Sequence, residues 1–178
     1  MNYDHILKPT TNLEPGLTDF LIGIQSQMSS IKKPLAPFTN PGDSQTITET
    51  HLFTDPYGFY RAYQVKQKHE GKGDSAGSLG SKTLANEFTV FMPGIDATRL
   101  EFVKALQNED LLTLHRDSDC DNEQWLQLGN ECRPATAEVS YTTGTYEPTG
   151  EKGFIIKIKW TGIPYVYAGT ITIFESGS

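Results

Sequence analysis

Apolar and polar residues alternate with a period of two along most of the chain after residue 44, which predicts β-strands. The clearest case runs from Phe154 to Trp160, where every second residue is apolar. A compact apolar run, Phe20–Ile24, predicts one more strand over 16–25. Further strands are expected at 46–51, 57–66, 83–92, 111–115, 124–128, 137–142 and 170–174. The pattern therefore predicts a mainly β domain.

One segment has helical spacing instead. Leu100, Val103 and Leu106 recur every three residues, which places them on one face of a helix. Asp96 precedes them and is a suitable N-cap, because its carboxylate can accept from the free N–H groups of the first turn. We expect a helix over about 97–107 that packs one stripe against a sheet.

Two regions lack periodicity. Residues 1–44 contain a strand followed by a Pro-rich arm, 31–41, whose prolines exclude a helix interior. The segment 67–82 carries four glycines and mostly polar residues, so we expect an elongated hairpin loop between two strands. We interpret 1–44 as part of the same domain as the core, 45–178.

The arm and this loop contain too little apolar surface to compensate for their own ordering by packing on their own chain. We therefore expect them to contact other copies of the protein. The candidate inter-subunit residues are Lys72, Asp74, Ser78, Leu79 and Lys82 in the loop, and Ile31, Leu35 and Phe38 in the arm.

Composition and charge narrow the functional classes. Aromatic residues make up 11% of the 178 residues, and the 26 glycines and prolines supply turns, which agrees with β structure. Fifteen Lys and Arg stand against 22 Asp and Glu, so the net charge is 15 − 22 = −7. This balance argues against a protein that grips duplex DNA through its phosphates.

Two segments resemble an ion-binding or a phosphate-binding motif, but both lack residues that the motif requires at fixed positions. The acidic segment 117–121 begins like a calcium loop, but Asn122 and Leu128 occupy the positions that need Gly and Glu. The segment 76–83 ends like a P-loop, yet it lacks both required glycines and a following helix. We expect a solvated acidic hairpin tip and no phosphate site.

Residues typical of catalysis are scattered. The four histidines show no metal-ligand spacing, and the chain contains no Gly-x-Ser-x-Gly nucleophile elbow. Cys120 and Cys132 are expected to be free thiols in a reducing cytoplasm, although their pairing stays open. We expect no catalytic residue, metal or cofactor, and therefore no enzyme. The start of the chain shows no secretory signal and the apolar runs are short, so we expect no membrane contact.

The order of the elements resembles a known family. The strand 87–94 ends in a Pro-Gly turn and leads into the predicted helix, which is followed by a strand and polar hairpin over 111–129. A hairpin containing Thr-Gly then spans 141–156. Over about 52–174 this layout is similar to phage tail tube proteins, particularly virion structural proteins of Bacteroidetes-type phages and prophages.

The resemblance implies an antiparallel β-sandwich or barrel with one flanking helix, long hairpin loops and an N-terminal arm. It also implies stacked, hexameric homo-oligomeric rings in the virion tail, assembled in the host cytoplasm, that contact other tail proteins and let genomic DNA pass without specific binding. A ring of six copies would carry 6 × (−7) = −42 charges, which suits a wall that does not hold phosphate. The family transfers no catalytic residue.

Two alternatives stay open. The chain could be another ring component of a phage, such as a head–tail connector or a tail terminator. It could also be a β-sandwich module that binds a carbohydrate or a host surface.

Overall fold

The computed structural model describes residues 16–118, 124–147 and 150–174. It is mainly β, with 45% strand and 12% helix, and the described residues form a sandwich-like arrangement without a closed barrel. The predicted fold class is confirmed. The strands are β1 Leu17–Ile24, β2 Met28–Ser30, β3 Thr46–Ile47, β4 Leu52–Phe53, β5 Tyr60–Arg61, β6 Glu70–Ala76, β7 Thr83–Pro93, β8 Leu111–Asp117, β9 Trp125–Leu128, β10 Thr136–Thr142, β11 Gly153–Thr161 and β12 Tyr165–Tyr167. The helix α1 spans Ala97–Leu106, and single 3-10 turns occupy Gln25–Gln27, Asp43–Gln45 and Lys66–Lys68.

The strands form two main sheets and one small ribbon. The first sheet has six strands in the order β3-β12-β9-β8-β1-β5, and the second has four in the order β10-β11-β7-β6. β2 and β4 pair by themselves. Neighbours are antiparallel throughout, except that β12 and β3 are parallel.

The two sheets share the main hydrophobic core, and the six-stranded sheet is also covered on its other face. Phe20 and Ile22 of β1 belong to the core that β7 and β11 complete from the four-stranded sheet. Leu21 belongs to a second cluster together with Ile47 and Phe59. β1 is therefore buried on both faces, which explains why its sequence is a continuous apolar run instead of an alternation.

The helix closes one side of the sandwich. The Asp96 side chain accepts a hydrogen bond of 2.9 Å from the backbone N–H of Arg99, as expected for an N-cap. Val103 and Leu106 are buried in the main core, and the Gln107 side chain reaches the backbone of β10. The predicted helix is confirmed to within a residue at its C-terminal end, but Leu100, which was expected on its packed stripe, is 51% exposed.

The prediction of a loop over 67–82 is wrong for its central part. Residues Glu70–Ala76 form β6, which pairs with β7 along its whole length. The segment lacks an apolar alternation because nearly every side chain of β6 is exposed on both faces. Gly71 lies against the ring of Phe88, where an added Cβ would come within 2.6 Å of a ring carbon. Glycine here serves cross-strand packing, not chain flexibility.

Three predicted strands are also wrong in extent. Only Tyr60–Arg61 of 57–66 is strand, because the chain then crosses from one sheet to the other. The segment 170–174 makes a single bridge, Ile173 to Phe59, and the last full strand is β12. Of 46–51, only Thr46–Ile47 is strand, and the chain then turns so that His51 is buried.

The remaining predictions concern the acidic tip, the thiols and the membrane. Most of the acidic tip and all of Cys120 lie outside the described residues. The Cys120–Cys132 pairing therefore stays open. Cys132 is exposed and forms no disulfide with a described residue. Within the described ranges, no helix has the length and apolar character needed to cross a bilayer.

Candidate assembly surface

The four-stranded sheet has two free edges. β6 pairs with β7 and β10 pairs with β11, and among the described residues neither edge strand has a second strand beside it. β10 pairs continuously with β11 from Thr136 to Thr142, without a bulge or a proline. Apart from the Val139 carbonyl, which accepts from Gln107 Nε2 at 3.4 Å, a regular edge of this kind exposes backbone N–H and C=O groups that a further strand can bind.

The directions of the two edge strands are opposite. Each strand of this sheet is antiparallel to its neighbour, so an even number of strands leaves β6 and β10 running in opposite directions. If copies were arranged around an axis, β6 of one would meet β10 of the next in antiparallel orientation. The sheet could therefore continue from copy to copy with the same hydrogen-bonding pattern.

The outward face of this sheet is polar and carries a row of ion pairs. The Glu87 carboxylate lies 3.6 Å from Lys72 Nζ and 3.7 Å from Lys157 Nζ, which links β6, β7 and β11. Lys159 Nζ lies 2.6 Å from Glu138 Oε2, and this contact raises the pKa of Lys159. Such exposed pairs contribute little stability, so they mainly define a mixed-charge surface.

An aromatic ring interrupts this polar face and is covered by a lysine. Phe91 is buried although its side chain lies on the outward face of β7. Lys68 Nζ lies 4.9 Å from the centre of the Phe91 ring and also forms an ion pair with Glu151. The cation thus shields a large apolar side chain of β7 that does not enter the core.

The predicted contact residues of the loop lie on one solvent-exposed hairpin. Lys72 and Asp74 are exposed residues of β6, whereas Ser78 and Leu79 are in its tip and Lys82 follows directly. The Leu79 side chain is 93% exposed, the most exposed leucine among the described residues. The backbone N–H of Ser81 donates a hydrogen bond of 3.0 Å to the Ser78 carbonyl, which closes the tip. The hairpin therefore presents an isolated apolar side chain to solvent.

The predicted contact residues of the arm differ in exposure. Ile31 packs against the second core cluster of its own chain, whereas Leu35 and Phe38 are 56% and 45% exposed. Asp43 holds the far end of the arm by accepting from the backbone N–H groups of Thr39 and, at 2.7 Å, Asn40. The free apolar surface of the arm is thus limited to its middle.

A buried polar network holds the near end of the arm. His51 is 1% exposed, and its Nδ1 accepts a hydrogen bond of 2.9 Å from the backbone N–H of Lys32. Its Nε2 lies 2.8 Å from Gln127 Oε1, and its ring stacks on Tyr167 at 4.7 Å. Gln127 donates to the Gly129 carbonyl, so its oxygen faces the imidazole and Nε2 carries the proton. Burial lowers the pKa of His51, which keeps the ring neutral.

A second buried network lies between the two sheets. His69 Nε2 and His115 Nδ1 are 2.9 Å apart, and His115 Nε2 lies 3.1 Å from Thr113 Oγ1. The ring of Phe20 stacks on His115 at 4.9 Å, and that of Phe88 packs beside it at 4.5 Å. Burial lowers the pKa of His69 to about 4 and that of His115 well below its usual value. Both imidazoles are closed off from solvent, so this network suits a structural role.

Sequence reasoning missed both networks. The contacts join residues far apart in the chain, such as His51 and Gln127, and no local spacing indicates them. The described residues contain no group of three or more His, Cys, Asp or Glu side chains that could hold a metal ion. The comparisons add no neighbour: no family model, no curated protein and no solved structure matches this chain.

Proposed function

We propose that the protein is a virion structural protein, the protomer of a phage tail tube, that assembles into rings by pairing β6 of one copy with β10 of the next. The observation that carries this proposal is the pair of free, oppositely directed edges on one four-stranded sheet. A heterologous contact of this kind closes into a ring when the rotation between copies divides the circle evenly.

The size of such a ring follows from strand spacing. Six copies contribute 24 strands, and at about 4.8 Å per strand the closed sheet has a circumference of about 115 Å. The backbone-to-backbone diameter is then about 37 Å before any strand tilt, which widens it. Closed sheets of about 16–18 strands already surround an aqueous channel. A ring of six copies is therefore wide enough for a DNA duplex.

The outward face of the sheet becomes the wall of the channel in this arrangement. Its charged residues on the four strands are Glu70, Lys72, Asp74, Glu87, Glu138, Lys157 and Lys159. These give 3 − 4 = −1 per copy, much less than the −7 of the whole chain. A nearly balanced wall neither retains phosphate strongly nor repels it strongly, which suits passage without specific binding.

Stacking of rings requires a second set of contacts. We assign these to the exposed hairpin tip around Leu79 and to the middle of the arm, at Leu35 and Phe38. Each presents apolar surface that its own chain leaves exposed. The remaining partners in this proposal are other tail proteins at the ends of the tube, and assembly takes place in the host cytoplasm.

Negative-stain images and sedimentation velocity of the purified protein test this function. The tube protomer should form open-ended tubes or stacks of rings as concentration rises. Rings that never stack would favour the connector or terminator. A strictly monomeric protein at high concentration that binds glycans would overturn the proposal in favour of a binding module.

A further inference from the structure

The backbone of each free edge restricts how two copies of the four-stranded sheet can pair. At the end of β11, the backbone N–H of Gly162 donates to the Leu84 carbonyl at 2.8 Å, so the even-numbered residues of β7 bond to β11. In an antiparallel sheet, the N–H and C=O groups of successive residues point to opposite sides of the strand. Across the paired strands, this alternation directs the backbone groups of the odd-numbered residues of β6 and β10 to the two free edges.

The side chains of the even-numbered residues of both edge strands lie on the outward face. The Glu87 carboxylate contacts Lys72 of β6 and Lys157 of β11. Lys159, on the same face of β11, contacts Glu138 of β10. A junction that keeps this face continuous and forms backbone hydrogen bonds therefore pairs even-numbered residues of β6 with even-numbered residues of β10. Registers that differ from this by one residue are excluded.

Charge distinguishes among the registers that remain. β6 carries two acidic residues and one cation, Lys72, whereas the only charged residue of β10 is Glu138. Rows continued straight across the junction set Lys72 opposite Thr136. The same register sets Glu70 opposite Glu138, which are like charges. A shift of two residues, in the direction that lengthens the overlap of the strands, sets Lys72 opposite Glu138, and a shift of four sets Asp74 there. Opposite charges thus face each other directly in the register shifted by two.

We propose that β6 of one copy pairs with β10 of the next so that Lys72 lies directly opposite Glu138. The register rests on the ring assembly proposed above and specifies its junction. Because the backbone groups of both residues point into their own sheets, they form a non-hydrogen-bonded pair, with Cα atoms about 4.5 Å apart and side chains at their closest. Both side chains are accessible, since Lys72 is 64% and Glu138 is 63% exposed. A closed sheet also requires a stagger of this kind between strands.

The neighbouring positions are compatible with this pair. Gly71 then lies opposite Val139, and its N–H replaces the Gln107 side chain, which donates to the Val139 carbonyl at 3.4 Å in the single chain. The two acidic neighbours of Lys72 in β6 lie diagonally from Glu138, at about 7–8 Å, so they oppose the pair less than a directly facing carboxylate does.

Charge reversal at the two positions tests the register, with assembly measured by sedimentation velocity and negative-stain images. Lys72→Glu alone brings two carboxylates together, and Glu138→Lys alone brings two ammonium groups together. Each should raise the protein concentration needed for assembly about tenfold. Both changes in one chain should restore assembly. An equimolar mixture of the two single variants should also assemble, because alternating copies bring opposite charges together at every junction of a ring of six.

Lys157→Glu is the matched control. It makes the same charge change and also loses a contact with Glu87, but it lies on β11, away from both edges. It should alter the concentration needed for assembly less than about twofold. The melting temperatures of all variants should stay close to that of the unmodified protein, since exposed ion pairs contribute little stability.

The outcomes separate the register from the ring itself. An unmodified protein that does not assemble would overturn both. If it assembles and the two single variants behave like Lys157→Glu, the register is wrong and the ring stands. The same conclusion follows if the combined variant folds with an unchanged melting temperature but does not recover assembly.

Discussion

The backbone N–H of Lys32 donates a hydrogen bond of 2.9 Å to Nδ1 of His51, so a buried imidazole holds the start of the Pro-rich arm. The acceptor exists only while the ring is neutral. Gln127 fixes the proton on Nε2, and Tyr167 and Phe59 pack around the ring. Burial lowers the pKa of His51, and the charge of Lys32 lowers it further. Docking of the arm is therefore coupled to the protonation of one histidine.

The first prediction concerns the arm at acid pH. The docked arm requires neutral His51, whereas a released arm leaves a histidine that binds a proton near its ordinary pKa of about 6.5. Release is thus favoured as pH falls below about 6.5. Hydrogen exchange should show that protection of the Lys32 amide, corrected for the intrinsic rate, decreases between about pH 7 and pH 5.

A matched variant isolates the imidazole. His51→Asn keeps a side-chain acceptor near the Nδ1 position but cannot titrate, so the Lys32 amide should show pH-independent corrected protection. The variant should lose overall stability by about 1–3 kcal/mol, because Gln127 loses its partner. A pH dependence that persists in His51→Asn would contradict the coupling.

The second prediction concerns global stability. The pKa of His69 is lowered to about 4 in the folded protein, so between about pH 6.5 and 4 only the unfolded chain binds this proton. The free energy of unfolding should therefore decrease as the pH is lowered below about 6.5. At pH 5 the decrease due to His69 alone should be about 2 kcal/mol. Urea denaturation at several pH values measures this slope. His69→Gln should reduce it, and an unchanged slope would show that His69 is not the cause.

The third prediction concerns the contact between Gly71 and Phe88. Gly71→Ala places a Cβ 2.6 Å from the ring, so the variant should lose about 1–3 kcal/mol of stability. Phe88→Leu removes the clash along with core contacts. In a double-mutant cycle by urea denaturation, Gly71→Ala should cost much less in the Phe88→Leu background. Additive losses would mean that the ring does not restrict position 71.

The fourth prediction separates stacking from folding. Leu79 is 93% exposed, so Leu79→Ser should change the melting temperature little while reducing the length or number of tubes. Tyr146→Ser removes another fully exposed apolar side chain, on a different loop, and serves as the control. Normal tubes from Leu79→Ser, or equal defects in both variants, would contradict the role of the hairpin tip.

The sequence predicted the elements that bury one regular face. β11 has a clean period because its alternate residues from Phe154 to Trp160 enter the main core, whereas α1 buries only Val103 and Leu106 and leaves Leu100 51% exposed. β6 was missed because an edge strand with both faces exposed has no apolar alternation. The buried contact between His69 and His115 could not be predicted either, since the two residues are 46 positions apart and converge only in the folded chain.

Cross-linking between the edges of the four-stranded sheet tests the central claim most directly. In a chain with Cys120→Ser and Cys132→Ser, Lys72→Cys marks β6 and Thr136→Cys marks β10. Both side chains are exposed, and both positions lie in one row across the sheet, through Glu87 and Lys159. A bismaleimide spanning about 5–8 Å reaches between side chains on adjacent strands. We predict a ladder of covalent oligomers that ends at a closed ring, and only when both cysteines are present in each chain. A double-cysteine protein that assembles but stays uncross-linked, or dimers from either single cysteine, would contradict ring formation through these edges.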